Sequence, residues 1–407
     1  MLIRFLTLMA ALPLRIWVHV QRLGGAISRD VAHNRLGHAT QAKPPQSVIW
    51  IHAASLGELS AVRPFLRHLA AAKPDHRLLI TTNNPNALDV AKHWDDVPAI
   101  LQAAPLDIPS ILKRFLNHWQ PVAFANIETE VWPNRFAALG ARGIPCIGLN
   151  ARMSATSAKR FAKLGTSTGL HHFTAIFAQN EQSAERFRTL LDPSKFVTTL
   201  PNFKSLVSLP STDPALVSQF DRAKTILAAS THEGEDEPII AAFTELSKTD
   251  PSLKLIIAPR HPHRAPDITA LAKSAGHNPK PLGDPADTSI SIAHTLGQLP
   301  ELYALAAVTF VGGSIVPDIG GHTPYEPIRA NSAIVTGTMT DNFTAEYTAL
   351  STANACQLTT PQTLASDLRT ALTTAETLAQ NARATFPPIE NPTALFDQII
   401  TAMERPS

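Results

Sequence analysis

Glutamate residues follow two apolar runs in the first half of the chain, and they are the strongest candidates for chemistry. Glu58 closes the stretch ASLGE (54–58), directly after the apolar run SVIWIHA (47–53). A carboxylate at such a strand end could accept a proton as a general base. The same carboxylate could instead only complement the dipole of the helix that begins there. The spacing leaves both interpretations open.

Glu128 and Glu130 lie in the stretch IETEVWPN (127–134), at the end of another apolar run. Because side chains alternate along an extended chain, two residues separated by one position share a face. Two carboxylates on one face at a strand end indicate a functional site, and decoration of a surface loop is the alternative. Val131 and Trp132 follow at once, which indicates that the segment is partly buried.

Two stretches of the second half place charged residues after predicted strands. In ASTHEGEDE (229–237), Ser230 or Thr231 could cap a helix whose first turn is acidic, so most of this acidity is predicted to be structural. The helix start still offers backbone N–H groups to an anion. In APRHPHR (258–264), the arginine and histidine side chains suit a phosphate or a carboxylate. A metal is the alternative for these histidines, although no cysteine or carboxylate cluster accompanies them.

Paired glycines form a third candidate in the second half. The stretch VGGSIVPDIGGHTPYEP (311–327) holds two glycine pairs, followed by a proline that suits a first helical turn. Glycine lets the backbone approach a ligand closely, and a helix N-terminus at this place would hold a phosphate. Glu326 could accept hydrogen bonds from ribose hydroxyl groups.

The elements that must position these residues alternate between strands and helices. Short apolar runs predict strands, and residues 59–70 carry apolar side chains at helical spacing. This alternation predicts mainly parallel sheets covered by helices, with ligands at the carboxyl ends of the strands. A stretch rich in proline, serine and aspartate, 201–214, is the predicted linker between two doubly wound domains with a cleft between them. The predicted strands are 47–53, 78–82, 122–127, 146–149, 175–178, 225–229, 253–258, 289–292, 308–311 and 333–336, and a last helix is predicted over 392–403.

Composition excludes several other classes of protein. The 407 residues are 44% hydrophobic and 17% charged, which excludes a disordered chain, a collagen and a coiled coil. The net charge is only +2 with the histidines neutral, so no nucleic-acid partner is expected. Two cysteines cannot form a disulfide framework, and they indicate a reducing compartment.

The N-terminal segment 1–20, MLIRFLTLMAALPLRIWVHV, is apolar and basic. Its uncharged run between Arg4 and Arg15 is too short to span a bilayer. A signal peptide fits less well, because Arg15 and Trp17 interrupt the apolar core and no small-residue cleavage site follows. The segment therefore predicts a monotopic anchor on an anionic leaflet. An ordinary first helix packed on the core is the alternative.

Taken together, these segments resemble the family of Kdo transferases, which add 3-deoxy-D-manno-octulosonic acid (Kdo) to lipid A precursors. The resemblance implies a GT-B fold, in which two α/β Rossmann-like domains face each other across a cleft. We expect an anchor segment over 1–22, an acceptor-binding domain over 23–203, and a domain over 204–407 that binds the CMP-sugar and includes the C-terminal helix. The stretches that carry the resemblance are WIHAASLGE (50–58), PLDIP (105–109), IETEVWPN (127–134), LNARMSATS (149–157), ASTHEGEDE (229–237), APRHPHR (258–264), VGGSIVPDIGGHTPYEP (311–327) and DNF (341–343).

The resemblance implies a role for three catalytic residues. Glu58 matches the general base of the family, which deprotonates an acceptor sugar hydroxyl. Glu128, the first glutamate of the family's ETELWP motif, and Lys204, the lysine of its GNLK motif, match residues assigned to transition-state stabilisation. In this chain Pro201 stands where the family's GNLK motif has glycine.

The resemblance also implies the donor CMP-Kdo, with no bound cofactor and no metal. The residues that match its CMP contacts are Pro259, Arg260, Leu296, Gly297, Gln298, Thr323, Pro324, Tyr325 and Glu326. The family's HNPLEP motif reads HTPYEP in this chain and its MGE motif reads LGQ, so Thr323 replaces an asparagine and Gln298 replaces a glutamate. These substitutions are expected to alter the contacts with the donor more than the reaction that is catalysed.

The implied protein is a monotopic enzyme on the cytoplasmic face of the inner membrane, with a lipid A precursor as acceptor. One alternative is a GT-B transferase or epimerase that acts on another nucleotide sugar. Another is a non-catalytic protein that binds a nucleotide sugar. The last alternative predicts that Glu58 is dispensable.

Overall fold

A computed structural model describes residues 7, 9–128, 130–206, 209–284, 288–295 and 297–405. Contacts divide the chain into a first unit, Met1–Leu206 with Glu390–Ser407, and a second unit, Val207–Ile389. Leu296, one of the predicted donor contacts, and part of the predicted anchor segment, residues 1–6 and 8, lie outside the described residues.

The first unit is built on a seven-stranded sheet in the order β3-β2-β1-β4-β5-β6-β7. Every neighbouring pair in this sheet is parallel. The central strands are buried almost throughout, which explains why they are apolar runs instead of alternating ones. The strands are β1 (Ser47–His52), β2 (His76–Thr82), β3 (Ala99–Ala103), β4 (Pro121–Ile127), β5 (Cys146–Ala151), β6 (Phe173–Ala178) and β7 (Phe196–Thr199).

Helices connect these strands and cover the two faces of the sheet. Apolar residues of the helix after β1 pack in one core cluster, whereas those of the helix before β4 pack in another. The α-helices are α1 (Ala11–Leu23), α2 (Arg29–Arg35), α3 (Leu56–Ala72), α4 (Pro85–Ala91), α5 (Pro109–Trp119), α6 (Pro133–Gly140), α7 (Ala155–Leu164) and α8 (Glu181–Leu190). Short 3-10 helices occupy Gly165–Thr168, Leu170–His172 and Phe203–Leu206.

Helix α1 contributes little to the core of the first unit. Val18 is its single buried residue. The large apolar side chains of its other faces are at least half exposed, and they are Leu12, Ile16, Trp17, Val20 and Leu23. One hydrogen bond of 2.7 Å joins the Arg15 guanidinium to the Ser110 hydroxyl at the start of α5. Among the described residues, no helix combines the length and apolar character that a bilayer crossing requires.

The second unit repeats the architecture with a parallel sheet in the order β10-β11-β9-β8-β12-β13-β14. Its strands are β8 (Thr225–Thr231), β9 (Lys254–Pro259), β10 (Lys280–Pro281), β11 (Ile290–Ile292), β12 (Val308–Val311), β13 (Ala333–Thr336) and β14 (Cys356–Leu358). Its α-helices are α9 (Pro214–Val217), α10 (Asp236–Thr249), α11 (Ala265–Ser274), α12 (Leu299–Leu302), α13 (Tyr325–Arg329), α14 (Thr344–Thr352), α15 (Leu364–Thr373) and α16 (Ala375–Thr385). Short 3-10 helices occupy Arg222–Lys224, Pro262–Arg264, Tyr303–Leu305 and Asp341–Phe343.

The C-terminal helix α17 (Thr393–Met403) corrects the predicted domain boundaries. We predicted that this helix belongs to the second domain, but it packs in the core of the first unit. Phe396 meets Phe65 of α3 edge-on, with ring centroids 5.5 Å apart. The apolar face of α17 is therefore buried by a helix more than 300 positions away in sequence. Lys204 also belongs to the first unit, although we placed it at the start of the second.

Candidate active site

Glu58 lies in the first turn of α3, directly after β1. Ser55 caps this helix: its hydroxyl accepts from the Glu58 backbone N–H at 3.3 Å. The same hydroxyl donates to Glu58 Oε1 at 3.1 Å, and the Ala54 backbone N–H donates to Glu58 Oε2 at 2.7 Å. The carboxylate is thus tied back over the helix start, in a variant of the capping box.

The surroundings of Glu58 favour its neutral form. Burial, and then the negative charge of Glu128, raise the pKa of Glu58 to about 7, against the opposing hydrogen bonds from Ala54 and Ser55. An acid whose pKa lies near neutrality is suited to proton transfer at physiological pH. The carboxylate therefore meets the requirement for a general base while it also caps a helix, so the two interpretations of the sequence are compatible.

Glu128 follows β4 and is paired with Lys204. The ammonium Nζ lies 2.8 Å from Glu128 Oε1, and both side chains are about three-quarters buried. The Glu128 backbone has a φ of 55°, a left-handed conformation, and its N–H donates to the Leu149 carbonyl at 2.9 Å. The pair brings together two residues 76 positions apart, both of which the sequence analysis had singled out.

Glu130 takes different partners from Glu128. Strand β4 ends at Ile127, and the left-handed residue after it ends the extended conformation on which a shared face depends. The Glu130 carboxylate accepts from Trp132 Nε1 at 2.8 Å and contacts His52 Nε2 at 2.9 Å. The alternation rule therefore does not apply to Glu128 and Glu130, because both follow the end of the strand, although the charges of both act on Glu58.

Buried residues pack against the loop that follows β4. Asp107, in the PLDIP stretch, accepts from the backbone N–H groups of Asn134 and Arg135 at 3.1 and 2.7 Å and so caps α6. The Arg135 guanidinium is fully buried and lies over the rings of Trp50 and Trp132, at 5.2 and 5.3 Å from their centroids. Burial lowers the pKa of Arg135 to about 10, so the group remains a cation at neutral pH.

In the second unit, the first glycine pair serves the fold instead of a ligand. Glu235 is completely buried, and its carboxylate accepts from the backbone N–H groups of Gly313, Ser314 and Ile315 at 2.7, 3.0 and 3.2 Å. The His232 N–H donates to it as well, at 2.9 Å. A Cβ at Gly312 would lie 2.6 Å from the Ser230 carbonyl oxygen. The sequence interpretation of this pair as a ligand-binding turn is corrected, because the Gly313 N–H donates to the Glu235 carboxylate and the Gly312 N–H donates to the Ala229 carbonyl at 2.8 Å.

Arg260 and Arg264, two residues of one motif, have different environments. Arg264 is bound within the fold, since its guanidinium pairs with buried Asp236 and donates to the Thr231 carbonyl at 3.2 Å. Arg260 is exposed, and its guanidinium makes no hydrogen bond or ion pair with any described residue. Arg260 is therefore the arginine of this motif that an anionic ligand can reach.

Histidines surround Arg260 at the same edge of the sheet. His232 Nε2 lies 2.9 Å from His322 Nε2, and the His261 ring lies 6.1 Å from that of His232. Burial, and then the neighbouring charges, lower the pKa of His322 to about 4, so this pair is neutral at physiological pH. Among the described residues, no group of three or more histidine, cysteine, aspartate or glutamate side chains is arranged to hold a metal ion.

The other predicted donor contacts follow adjacent strands of the second sheet. Pro259 ends β9, and Gly297, with a φ of 88°, precedes Gln298 after β11. The Thr323 hydroxyl accepts from the Tyr325 N–H at 3.3 Å, and Pro324 and Glu326 lie at the start of α13. Because β11, β9, β8 and β12 are neighbours in the sheet, these residues share one edge with Arg260. The Tyr325 hydroxyl, 3.3 Å from Glu346, points into the unit and is buried.

Several residues of the site were not found from the sequence. His52, Asn83 and Arg135 hold the first unit's loops, and the glycine turn was not recognised as the partner of Glu235. Asp107 and His52 lie inside stretches that carry the family resemblance, which was the available signal for them. Arg135 directly follows one of these stretches and Asn83 directly follows a predicted strand, but nothing in their spacing indicates a role.

Comparisons with known proteins agree with this architecture. The family model for 3-deoxy-D-manno-octulosonic-acid transferase (kdotransferase) matches residues 31–207. A probable mitochondrial 3-deoxy-D-manno-octulosonic acid transferase of Arabidopsis thaliana is 32% identical over 374 residues, which are 88% of this chain and 84% of the plant protein. The 3-deoxy-D-manno-octulosonic acid transferase of Haemophilus influenzae is 33% identical over 319 residues, 74% and 73% of the two chains.

Solved structures show the fold. The UDP-GlcNAc 2-epimerase of Neisseria meningitidis superposes with a TM-score of 0.60 at 16% identity, covering 88% of this chain and 99% of the epimerase. A spinosyn rhamnosyltransferase superposes with a TM-score of 0.57 at 13% identity, covering 87% and 100%. With the two parallel sheets, these likenesses confirm the predicted α/β fold of the GT-B class. The identity of more than 30% over most of both sequences shows that the chain belongs to the 3-deoxy-D-manno-octulosonic acid transferase family of glycosyltransferases.

Proposed function

We propose that the protein transfers Kdo from CMP-Kdo to a lipid A precursor (lipid IVA) in lipopolysaccharide biosynthesis, on the cytoplasmic face of the inner membrane. The observation that carries the proposal is Glu58, a carboxylate whose pKa is raised to about 7 and which lies near the Glu128–Lys204 pair. Membership of the Kdo transferase family supports the sugar, and the site residues support the type of reaction.

In the proposed reaction, Glu58 acts as the general base. Its ionised carboxylate accepts the proton of an acceptor hydroxyl, whose oxygen forms a bond to the anomeric carbon of Kdo. The bond between that carbon and the phosphate of CMP breaks at the same time, and CMP leaves with the electron pair. Glu128 and Lys204 stabilise the charges that develop in this transition state, and their 2.8 Å ion pair fixes both groups beforehand.

The second unit supplies the proposed donor site. Arg260, exposed and without a partner among the described residues, binds the phosphate of CMP. Glu326, in the first turn of α13, accepts from the ribose hydroxyls. Pro259, Gly297 and the start of α13 complete the nucleotide contacts. CMP is a good leaving group, so the proposed mechanism needs no metal ion and no further cofactor.

Helix α1 supports the membrane part of the proposal. Leu12, Ile16, Trp17 and Val20 are each more than half exposed, although they are large and apolar. An exposed apolar face on a basic helix suits insertion into the headgroup region of an anionic leaflet. Sedimentation of the full chain with vesicles that contain anionic lipid, with neutral vesicles as control, tests this contact. A chain that stays in the supernatant with both would contradict it.

The transfer itself is tested with the purified full chain, CMP-Kdo and a lipid A precursor in detergent. We expect mass spectrometry to find the lipid increased by one or more Kdo units, and the number of units gives the multiplicity. Reactions without donor, or with a different CMP-sugar, serve as controls. Binding of CMP-Kdo without any transfer would favour a binding protein, and transfer of another sugar alone would favour the other GT-B activity.

A further inference from the structure

The Glu130 carboxylate joins the ends of three neighbouring strands of the first sheet. His52, the last residue of β1, contacts it through Nε2 at 2.9 Å. Asn83, directly after β2, donates its amide to both carboxylate oxygens at 3.1 and 2.9 Å. Trp132, in the loop after β4, donates its indole N–H at 2.8 Å. Three side chains at the ends of three strands thus converge on one carboxylate.

The donors to Glu130 are themselves held in place. Arg35 donates to the Asn83 side-chain oxygen at 3.0 Å and to its carbonyl at 2.7 Å. His52 is completely buried, and its Nδ1 lies 3.0 Å from the Thr81 hydroxyl. Burial lowers the pKa of His52 to about 4, so the ring is neutral. The tautomer with its proton on Nε2 donates to Glu130 and accepts from Thr81, which satisfies both nitrogens.

The charge of Glu130 is also fixed by this arrangement. Burial alone would raise the pKa of Glu130, but the hydrogen bonds from His52 and Trp132 and the charge of Arg135 outweigh it and lower the pKa below its usual value. Glu130 is therefore ionised at neutral pH. In contrast to Glu58, its carboxylate accepts from three side chains and has a lowered pKa, which makes it a weaker base.

The same loop carries Glu128. Asn126 of β4 donates its amide to the Glu130 carbonyl at 3.0 Å, so the loop is tied to the strand at its base as well as through its side chain. Between these ties, Glu128 adopts its left-handed backbone and meets Lys204. A residue held in such a conformation needs its surroundings to fix it.

We infer that Glu130 is a positioning residue for transfer: it holds the loop after β4 against β1 and β2 and thereby sets the place of Glu128 beside Lys204 and Glu58. The inference rests on the proposed function, since the reaction it serves is Kdo transfer. Glu130 does not touch the reacting groups in this role. Its negative charge adds a second effect, because it contributes, after Glu128, to the raised pKa of Glu58.

The test compares Glu130→Ala with Glu130→Gln in the full chain. Misplacement of a catalytic group by about 1 Å can cost roughly 100-fold in rate, so we expect Glu130→Ala to lower kcat by about that factor while KM for CMP-Kdo stays within about twofold. In Glu130→Gln the side-chain oxygen can take the place of Oε2, which His52, Trp132 and Asn83 all contact, so only the second Asn83 contact, at Oε1, is lost. We therefore expect this variant to recover most of the lost kcat.

Two readouts separate positioning from general damage to the fold. Loss of the Glu130 charge in Glu130→Gln should move the acidic limb of the pH profile of kcat/KM to lower pH, because Glu58 then ionises more easily. The indole N–H signal of Trp132, assigned with Trp132→Phe, should shift strongly in Glu130→Ala and weakly in Glu130→Gln. Glu185→Gln, which removes an exposed carboxylate of α8 in the same unit, is the matched control and should change neither.

The outcomes are distinct from those of the proposed function. If the unsubstituted chain transfers no Kdo, the proposed function is wrong. If it does transfer and Glu130→Ala keeps near-normal kcat, only the positioning role is wrong. The role is also overturned if Glu130→Gln loses as much activity as Glu130→Ala. It is overturned as well if the acidic limb does not move in Glu130→Gln, or if the Trp132 signal does not move in Glu130→Ala.

Discussion

Both units place a Gly-Glu pair after their first strand, and the two glutamates have opposite surroundings. In the first unit, Gly57-Glu58 begins α3, and Glu58 has two donors, Ala54 and Ser55. In the second unit, Gly234-Glu235 precedes α10, and four backbone N–H groups surround Glu235 in full burial. The same short motif therefore yields a candidate base in one unit and an internal brace in the other. The two glutamates differ in the number of hydrogen-bond donors that the neighbouring loops provide, and we infer that this number determines their roles.

The groups that remain available to a ligand also differ in charge. The first unit presents the carboxylates of Glu58 and Glu128 with a single ammonium, that of Lys204. The second unit presents Arg260 with the imidazoles of His232 and His322. A carboxylate of raised pKa suits proton transfer, whereas an exposed guanidinium suits a phosphate. In the proposed function, the first unit therefore supplies the acid–base chemistry and the second unit binds the anionic donor.

The largest effect should come from Glu58→Gln, which keeps the size of the side chain and removes its basicity. A general base contributes about 100- to 10,000-fold in rate, so we expect kcat to fall by roughly 1,000-fold in the mass-spectrometric transfer assay. Binding of CMP, measured by calorimetry, should be unchanged, because the proposed donor site belongs to the other unit. Near-normal turnover would show that Glu58 is not the base, so the two Gly-Glu pairs would not differ in function.

The corresponding substitution in the second unit is Glu235→Ala. We expect it to lower the stability of the fold, whereas Glu58→Gln should lower kcat. The substitution leaves four buried backbone N–H groups without an acceptor, and each unsatisfied group costs about 1 to 3 kcal/mol unless water enters. Water that enters the space left by the carboxylate can accept from some of these N–H groups, so we expect a loss of about 3 kcal/mol in the free energy of unfolding, measured as a lower melting temperature. Glu237→Ala removes an exposed carboxylate from the same helix turn and is the matched control. Equal melting temperatures for both variants would show that the brace is dispensable.

A smaller effect is expected from Arg260→Ala. Charge-assisted hydrogen bonds contribute about 1.5 to 3 kcal/mol, so we expect CMP to bind at least tenfold more weakly in calorimetry, with the melting temperature unchanged. Arg264→Ala is the contrasting variant from the same motif. It loses the contacts with Asp236 and Thr231 and should lower the melting temperature. If Arg264→Ala weakened CMP binding and Arg260→Ala did not, our assignment of the two arginines would be reversed.

The strands show how far the fold could be predicted. All ten predicted strands are confirmed, and the four that were not predicted, β3, β7, β10 and β14, are the edge strands of the two sheets. Central parallel strands are buried on both faces, so they appear in the sequence as apolar runs. Edge strands are less buried: every residue of β7 is half-buried, and β10 is a Lys-Pro pair. Their pairing is set by the neighbouring strand, which a local pattern does not contain.

The site was predictable to the extent that its residues lie in family motifs. Glu58, Glu128, Lys204 and Arg260 came from such motifs, and the structure assembles the first three in one unit. The local sequence pattern could not predict that His52 and Asn83 bind Glu130. These two residues reach it only through the register of β1, β2 and β4. Glu235 was correctly predicted to be structural, but its target, the glycine turn after β12, lies about 80 positions away.

The smallest effect, and the finest test of the comparison, concerns Ser55→Ala. Loss of a serine cap costs about 1 kcal/mol, and the variant also loses the hydrogen bond from Ser55 to Glu58. That bond favours the ionised carboxylate, so its removal should raise the pKa of Glu58 further above the value of about 7. Since Glu58 must be ionised to accept a proton, the acidic limb of the pH profile of kcat/KM should move to higher pH.

Ser28→Ala provides the matched control for this test. Ser28 caps α2 by accepting from the Val31 N–H at 3.2 Å, and it has no contact with Glu58. Both variants should lose similar stability, but the acidic limb should move only in Ser55→Ala. An unchanged limb in Ser55→Ala would mean that Glu58 does not set it. If both limbs moved, the shift would come from lost stability instead of the lost hydrogen bond. The position of this limb thus tests whether the number of hydrogen-bond donors around a carboxylate determines if it acts as a base, as proposed for Glu58, or as a structural group, like Glu235.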